Sequence, residues 1–437
     1  MKNVILQLGV LFFISIGYGC SSSDNILAAV KLDDKWGYIN IKGKEVIDFN
    51  YDGADSFAYG LAPVKLDDKW GYINASGQIV IAPQYDGAGV FSEGIASVEL
   101  DGKYGYINIS GEEIVPPMYD RAEDFSNGLA MVMKNKKWGY INLNGEVVVT
   151  IKYDHIHSFS DGIACVALNG KWGCVNTNGV EVVSLLYHST VSFSEGLANV
   201  ELNGKDSYID TNGEVVIPMK YDYGAPFSNG LACVADGFYK WKYGYINTKG
   251  EEVIPLQYDG AGSFAYGLAP VNLDDKWGYI NASGQIVIAP QYDGAGVFSE
   301  GIASVKLDGK YGYINTNGEE VISINYDGAG SFKNGHAIIY LNRKKGLINK
   351  NGKEVVPPKY DNIFNLGDDL VGISLNNKWG HYYEGKETAP IYDQPYKFTE
   401  GLAMVMINNK CGYINQKGEE VIPIKYDGAR GFSKVNN

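Results

Sequence analysis

A glycine returns every 34 residues along almost the whole chain, and few folds tolerate that. It sits inside the hexapeptide "KWGYIN", found unchanged at residues 35–40, 69–74, 137–142 and 276–281, with "KYGYIN" at 103–108 and 310–315. Aligned on this position, the chain reads Gly37, Gly71, Gly105, Gly139, Gly173, Ser207, Gly244, Gly278, Gly312, Gly346, Gly380 and Gly412. The spacing is 34 nine times, 37 once across an insertion at 237–241, and 32 once near the end. Twelve units therefore fill residues 26–437 and leave no room for another domain. A 34-residue period also belongs to helix-pair repeats, but those are built on Ala and Leu at helical spacing. Here each unit holds four or five glycines and short alternating runs, which no useful helix survives.

Each unit reads as three short strands. In unit two they are Leu61–Leu66, Trp70–Asn74 and Ile79–Ala82. The first two are joined by Asp67-Asp68, and by Asp101-Gly102, Asn169-Gly170 or Asp308-Gly309 elsewhere, dipeptides suited to a type I′ hairpin turn. An Asn-x-x-Gly turn follows the second strand, and Tyr-Asp, a glycine-rich loop and a Phe follow the third. The motif "GLAxVxxxxKWGYINxxGEEVIPxxYDxAxxFSxG" resembles the bacterial WG (or KWG) repeat family over all twelve units. That resemblance implies an all-β repeat architecture and an interaction role. Local departures are Asp206-Ser207 for Trp-Gly, Lys345 and Cys411 for Trp, and His381 for Tyr.

Propeller blades usually have four strands and 40 or more residues, in rings of four to eight. Twelve three-stranded units of 34 residues fit that description poorly. The array begins on a first strand and ends after a third strand and Phe432, with no sign of a last blade completed by the N-terminus. An open solenoid or superhelical stack is the favoured expectation, with one or two propeller-like rings as the alternative. A further regularity is that residues 51–108 match 258–315 at an offset of 207. Only Asp55/Gly262, Lys65/Asn272 and Glu99/Lys306 differ among 58 positions, so a six-unit block has been copied.

A two-residue turn fixes register, and alternation then sorts the faces. Lys69, Gly71 and Ile73 share a face with Leu66, Val64 and Ala62, and this aliphatic face is expected to be the core. Trp70 and Tyr72 point the other way. The row Trp36, Trp70, Tyr72, Tyr104, Trp138, Trp172, Trp277, Tyr311 and Trp379 is thus the candidate binding face, for protein or for stacking on sugars. Its alternative is packing on the adjacent unit. Lysine precedes the aromatic in all twelve units, and Asp follows the repeated Tyr in eleven. Paired sites such as Lys69 with Asp86 and Lys103 with Asp120 are expected to form a structural ladder, although the Asp can equally cap its turn.

The formal charge of −14 argues against a nucleic-acid partner, which needs a basic stripe. No nucleophile elbow, phosphate loop, dinucleotide fingerprint or calcium loop occurs, and carboxylates recurring once per unit look architectural. No cofactor is called for, and no enzyme activity is expected. "YDHIHSFSDG" supplies the one irregular polar cluster: Asp154, His155 and His157, with His188 one period on, are conceivable metal ligands. Ordinary loop histidines explain them equally well. Cys165 and Cys174 face each other across the Asn169-Gly170 hairpin as a non-hydrogen-bonded pair, where a disulfide is feasible after export. At the N-terminus, Lys2, the apolar run Val4–Gly19 and then Cys20 resemble a lipoprotein signal. Residues 1–19 would be the signal, Cys20 the lipidated residue, and 20–25 a tether. The chain is then an exported envelope protein that meets the membrane only through this segment. A non-enzymatic scaffold for protein interaction is the leading functional expectation, and glycan binding the alternative.

Overall fold

A computed structural model describes residues 25–160, 162–189, 192–202, 204–237, 240–367 and 370–436. The signal-like segment, Cys20 and the tether before Asn25 lie outside the described residues. The described chain is all-β, in twelve small antiparallel sheets. Unit two is representative. Leu61–Leu66 pairs with Lys69–Asn74 across the Asp67-Asp68 turn, whose φ values of 49° and 64° are those of a type I′ turn. Register follows the turn, with Leu66 opposite Lys69 and Val64 opposite Gly71. The third strand, Ile79–Tyr85, extends three residues beyond the expected end at Ala82. A fourth strand, Gly53–Ala54, was not expected from sequence. It follows the Tyr-Asp of the preceding unit and hydrogen-bonds to the first strand of the next sheet.

The glycine of the hexapeptide is explained by a bulge. Trp70 pairs with Tyr85 but Tyr72 pairs with Ile81, so three residues of the third strand face Gly71 alone. A Cβ at Gly71 would lie 2.5 Å from the Ile81 carbonyl oxygen and 2.6 Å from the Pro83 nitrogen. Only glycine admits backbone that close.

The array closes on itself, which corrects the expectation of an open stack in favour of the alternative, a propeller-like ring of twelve sheets. Gly428–Ala429 and Ser433–Lys434, more than 390 residues downstream, both pair with Ile26–Leu32 and complete the first sheet. The Val435 N–H donates to the Asn25 carbonyl (2.9 Å), and Val435 accepts from the Gly60 N–H (2.6 Å). Side chains close the ring as well. Tyr413, Ile422 and Tyr426 of the last sheet, with Phe432 of the closing segment, pack on Ala28, Val30 and Ile39 of the first.

Ring geometry also corrects the expectation of a single core face. Each sheet is sandwiched between two others, so both its faces are buried. One presents small aliphatics, the other aromatics. Between sheets two and three, Leu61, Tyr72, Ile81, Tyr85 and Phe91 meet Ala96, Val98 and Ile107. Burying such side chains contributes about 1.5–3 kcal/mol each, whereas exposed ion pairs contribute little in water. Stacking therefore holds the ring, and the polar contacts set its geometry.

Candidate interaction surfaces

Polar ties join every sheet to the next along the edge that carries the two-residue turns. Lys69 Nζ lies 2.5 Å from Asp86 Oδ1, and Lys103 Nζ 2.5 Å from Asp120 Oδ1. Such a contact is made by all eleven Asp residues of the Tyr-Asp motif, from Lys35–Asp52 to Lys410–Asp427. The second carboxylate oxygen of each accepts a backbone N–H from the following turn, as Asp86 does from Asp101 at 2.8 Å and Asp120 from Asn135 at 2.6 Å. One carboxylate thus serves as both ion-pair partner and turn cap. The Lys103 ammonium, then the Asn135 N–H, hold the Asp120 carboxyl below the usual carboxylate range. The same causes, from Lys205 and Gly237, take Asp222 down to about 2.

The aromatic row divides. Tyr72 is completely buried and leaves the candidate binding face, because the next sheet covers it. Its phenol donates to the Gly89 carbonyl at 2.8 Å, and its ring packs on Phe91, 4.9 Å between centroids. Trp36, Trp70, Tyr104, Trp138, Trp172, Trp277, Tyr311 and Trp379 are half-buried. The Trp70 ring lies across the Lys65 strand onto Gly53, where an added Cβ would come within 3.0 Å of it. Several faces are covered further, Trp172 by His155 and His157, Trp36 by Arg430, Tyr311 by Lys306 and Trp379 by Phe364.

The conceivable metal ligands are not brought together. Asp154 engages Lys137, both histidines of the loop lie against Trp172, and His188 Nε2 is 2.6 Å from Lys171 Nζ. Among the described residues no three His, Cys, Asp or Glu side chains gather around a common point. Cys165 and Cys174 are directly opposite in register, their sulfurs 3.3 Å apart, a contact longer than a bond.

The other end of the ring carries the Phe-x-x-Gly loops, and here sequence reading missed a feature. The residue before the loop glycine adopts left-handed backbone and is Glu or Asn in most units, as at Glu93 (φ 52°), Asn127 and Glu195. In the second and eighth sheets it is Tyr59 (φ 52°) and Tyr266 (φ 55°), exposed to 45% and 57%. A bulky side chain at positive φ is an outlier of the kind found at functional sites. At the same end of the same sheets, Ile79 and Val80 (51% and 46% exposed) and Ile286 and Val287 (53% and 46%) stand where most units have Glu first. The signal was present as "FAYG" against "FSEG" and "SGQIV" against "NGEEV", but the tyrosines were absorbed into the repeat consensus.

A family model described as "WG containing repeat" matches the chain twelve times in succession, from residues 36–70 and 70–104 through 384–411 and 412–435. No curated protein sequence matches it. Solved structures give distant likenesses. One is the crystal structure of the eukaryotic initiation factor, with 12% identity over 75% of this chain and 94% of that one and a TM-score of 0.36. Hsv2 of Kluyveromyces lactis has 9% identity, coverage of 60% and 94%, and a TM-score of 0.29. PorZ, a bacterial surface component of the type-IX secretion system of Porphyromonas gingivalis, has 9% identity, coverage of 77% and 58%, and a TM-score of 0.25. These likenesses are too remote to carry any argument.

Proposed function

The chain belongs to the WG containing repeat family, and on that premise we propose that it is a non-enzymatic scaffold with two equivalent protein-docking surfaces on opposite sides of its ring. One observation carries the reading. The copied block is offset by 207 residues, six units, and six units around a ring of twelve is half a turn. Tyr59, Ile79 and Val80 therefore recur as Tyr266, Ile286 and Val287 at the antipode. All six are exposed apolar side chains, and the three positions that differ between the copies include none of them. Paired identical surfaces suit two copies of one partner or a two-fold symmetric one, and a bivalent partner gains avidity without any new contact. The acidity of the chain favours a partner with basic residues around its apolar anchor. The glycan alternative loses support from the row that suggested it, since those rings are half-buried against their own sheets.

Replacing Tyr59 with Ala and Ile79 with Glu, or Tyr266 with Ala and Ile286 with Glu, tests the reading by cross-linking and recovery from the envelope fraction. Either arc altered alone is expected to weaken capture of a bivalent partner about 100-fold, and both together to abolish it. Undiminished capture by the doubly altered ring would overturn the proposal. Binding on a glycan array that survives the same changes would favour the alternative. We also propose that Cys20 anchors the protein in the envelope; Cys20→Ser should release it from the membrane fraction, and full retention would refute the anchor.

A further inference from the structure

We propose that Cys165 and Cys174 form a regulatory cross-strand disulfide that staples the weakest arc of the ring. Three ties that other sheets share are altered around these residues. Lys171 meets His188 where eleven other units offer an Asp. Cys174 itself occupies the position of the buried Tyr, so the phenol-to-carbonyl bond to the next loop, 2.7 Å for Tyr140 to His157 one unit earlier, is missing here. In the following sheet Ser207 replaces the close-approach glycine and leaves its hydroxyl buried without a partner.

The pair is placed for bonding. The Asn169-Gly170 turn makes Leu168 and Lys171 the hydrogen-bonded closing pair, so Cys165 and Cys174, three steps out, are a non-hydrogen-bonded pair. Their Cα atoms then stand about 4.5 Å apart, inside the range a disulfide spans, and the sulfurs are already 3.3 Å from each other. Cys174 is fully buried in the core between sheets five and six, and Cys165 is only half-buried. The contact with Cys165, and then burial, push the Cys174 thiol up. Cys165 is therefore the entry point. Its thiolate attacks a low-molecular-weight disulfide and releases one thiolate, leaving a mixed disulfide on Cys165. Cys174, giving up its proton to solvent, then attacks Cys165 Sγ and expels the second small thiolate. Two electrons pass to the small disulfide, which leaves as two thiols. Cys233 and Cys411 lie buried in other sheets and have no such neighbour among the described residues.

The full chain, reduced and then exposed to oxidised glutathione, is digested with trypsin without reduction. Peptides 153–171 and 172–205 are expected to be joined and lighter than their sum by two hydrogens. Cys165→Ser or Cys174→Ser should abolish the link, and Cys233→Ser or Cys411→Ser should leave it intact. Backbone amides of residues 163–202 should exchange at least about tenfold more slowly in the oxidised ring than in the reduced one, with residues 268–315 unchanged as the internal control. Free, alkylatable thiols at both Cys165 and Cys174 after oxidation, a persistent glutathione adduct, or a link to another cysteine would each overturn the proposal. Equal exchange in the two redox states would overturn the stapling role. Neither result depends on the Tyr59 and Tyr266 surfaces, so this inference and the proposed function fail separately.

Discussion

At Ser207 the cost of departing from the repeat can be measured on a single side chain. Every glycine at the equivalent position faces a carbonyl oxygen that an added Cβ would meet within 3 Å, at 2.5 Å for Gly71 and Gly105. Ser207 carries that Cβ, and its hydroxyl is buried without a hydrogen-bond partner. An unpartnered buried hydroxyl costs about 1–3 kcal/mol, and glycine's extra backbone entropy takes back about 0.5–1 kcal/mol. Ser207→Gly is therefore expected to stabilise the ring by about 1 kcal/mol, read as a higher denaturation midpoint. An unchanged or lower midpoint would mean that sheet six has already relaxed around the serine. His381 shows a substitution that its surroundings have absorbed. It takes the place of a buried Tyr, and its two ring nitrogens reach Tyr396 Oη at 2.6 Å and the Gln416 carbonyl at 2.8 Å.

Between elements, the repeated carboxylate decides how consecutive sheets sit. Asp120 binds Lys103 of the sheet before it and the Asn135 N–H of the sheet after it, so removing the Asp breaks two ties and removing the Lys breaks one. Asp120→Ala should destabilise more than Lys103→Ala, and the double variant should lose less than the sum. Additive losses would show that the ion pair contributes nothing beyond the cap. The ladder also predicts an acid limit. Its aspartates have folded-state pKa values below their unfolded ones. A depressed carboxyl pKa gives stability that is complete above the unfolded value, near 4. That stability is lost as pH falls through the folded value, about 2 for Asp222. Thermal midpoints should be flat from neutrality to about pH 5 and fall steeply below about pH 4; a curve level to pH 2.5 would contradict the ladder's role.

For the whole molecule, closure rests on the last ten residues. They supply Ser433–Lys434, Phe432 and Val435 to the first sheet and its neighbours. Truncation after residue 427 should convert the ring to an open arc, with a larger radius of gyration in small-angle scattering and a lower unfolding midpoint. An unchanged radius would show that stacking alone holds the circle. Much of this protein was legible in its sequence because much of it is local. The two-residue turns, the hairpin register and the Lys–Asp spacing depend on residues fewer than twenty apart, and the twelve units show directly in the 34-residue period. The Gly-Ala strand was hidden because two residues have no period to recognise. Sequence alternation also assigned Tyr72 and Ile73 to opposite faces, but alternation cannot tell how many neighbours a sheet has. Tertiary structure alone decided that both faces are buried, that Tyr59 and Tyr266 stand at antipodes, and that the array is a ring. Closure depends on the angle each sheet makes with the next, summed twelve times, and on pairing between segments about 400 residues apart. A small change in that angle would open the same repeats into a spiral, and no single unit records the sum.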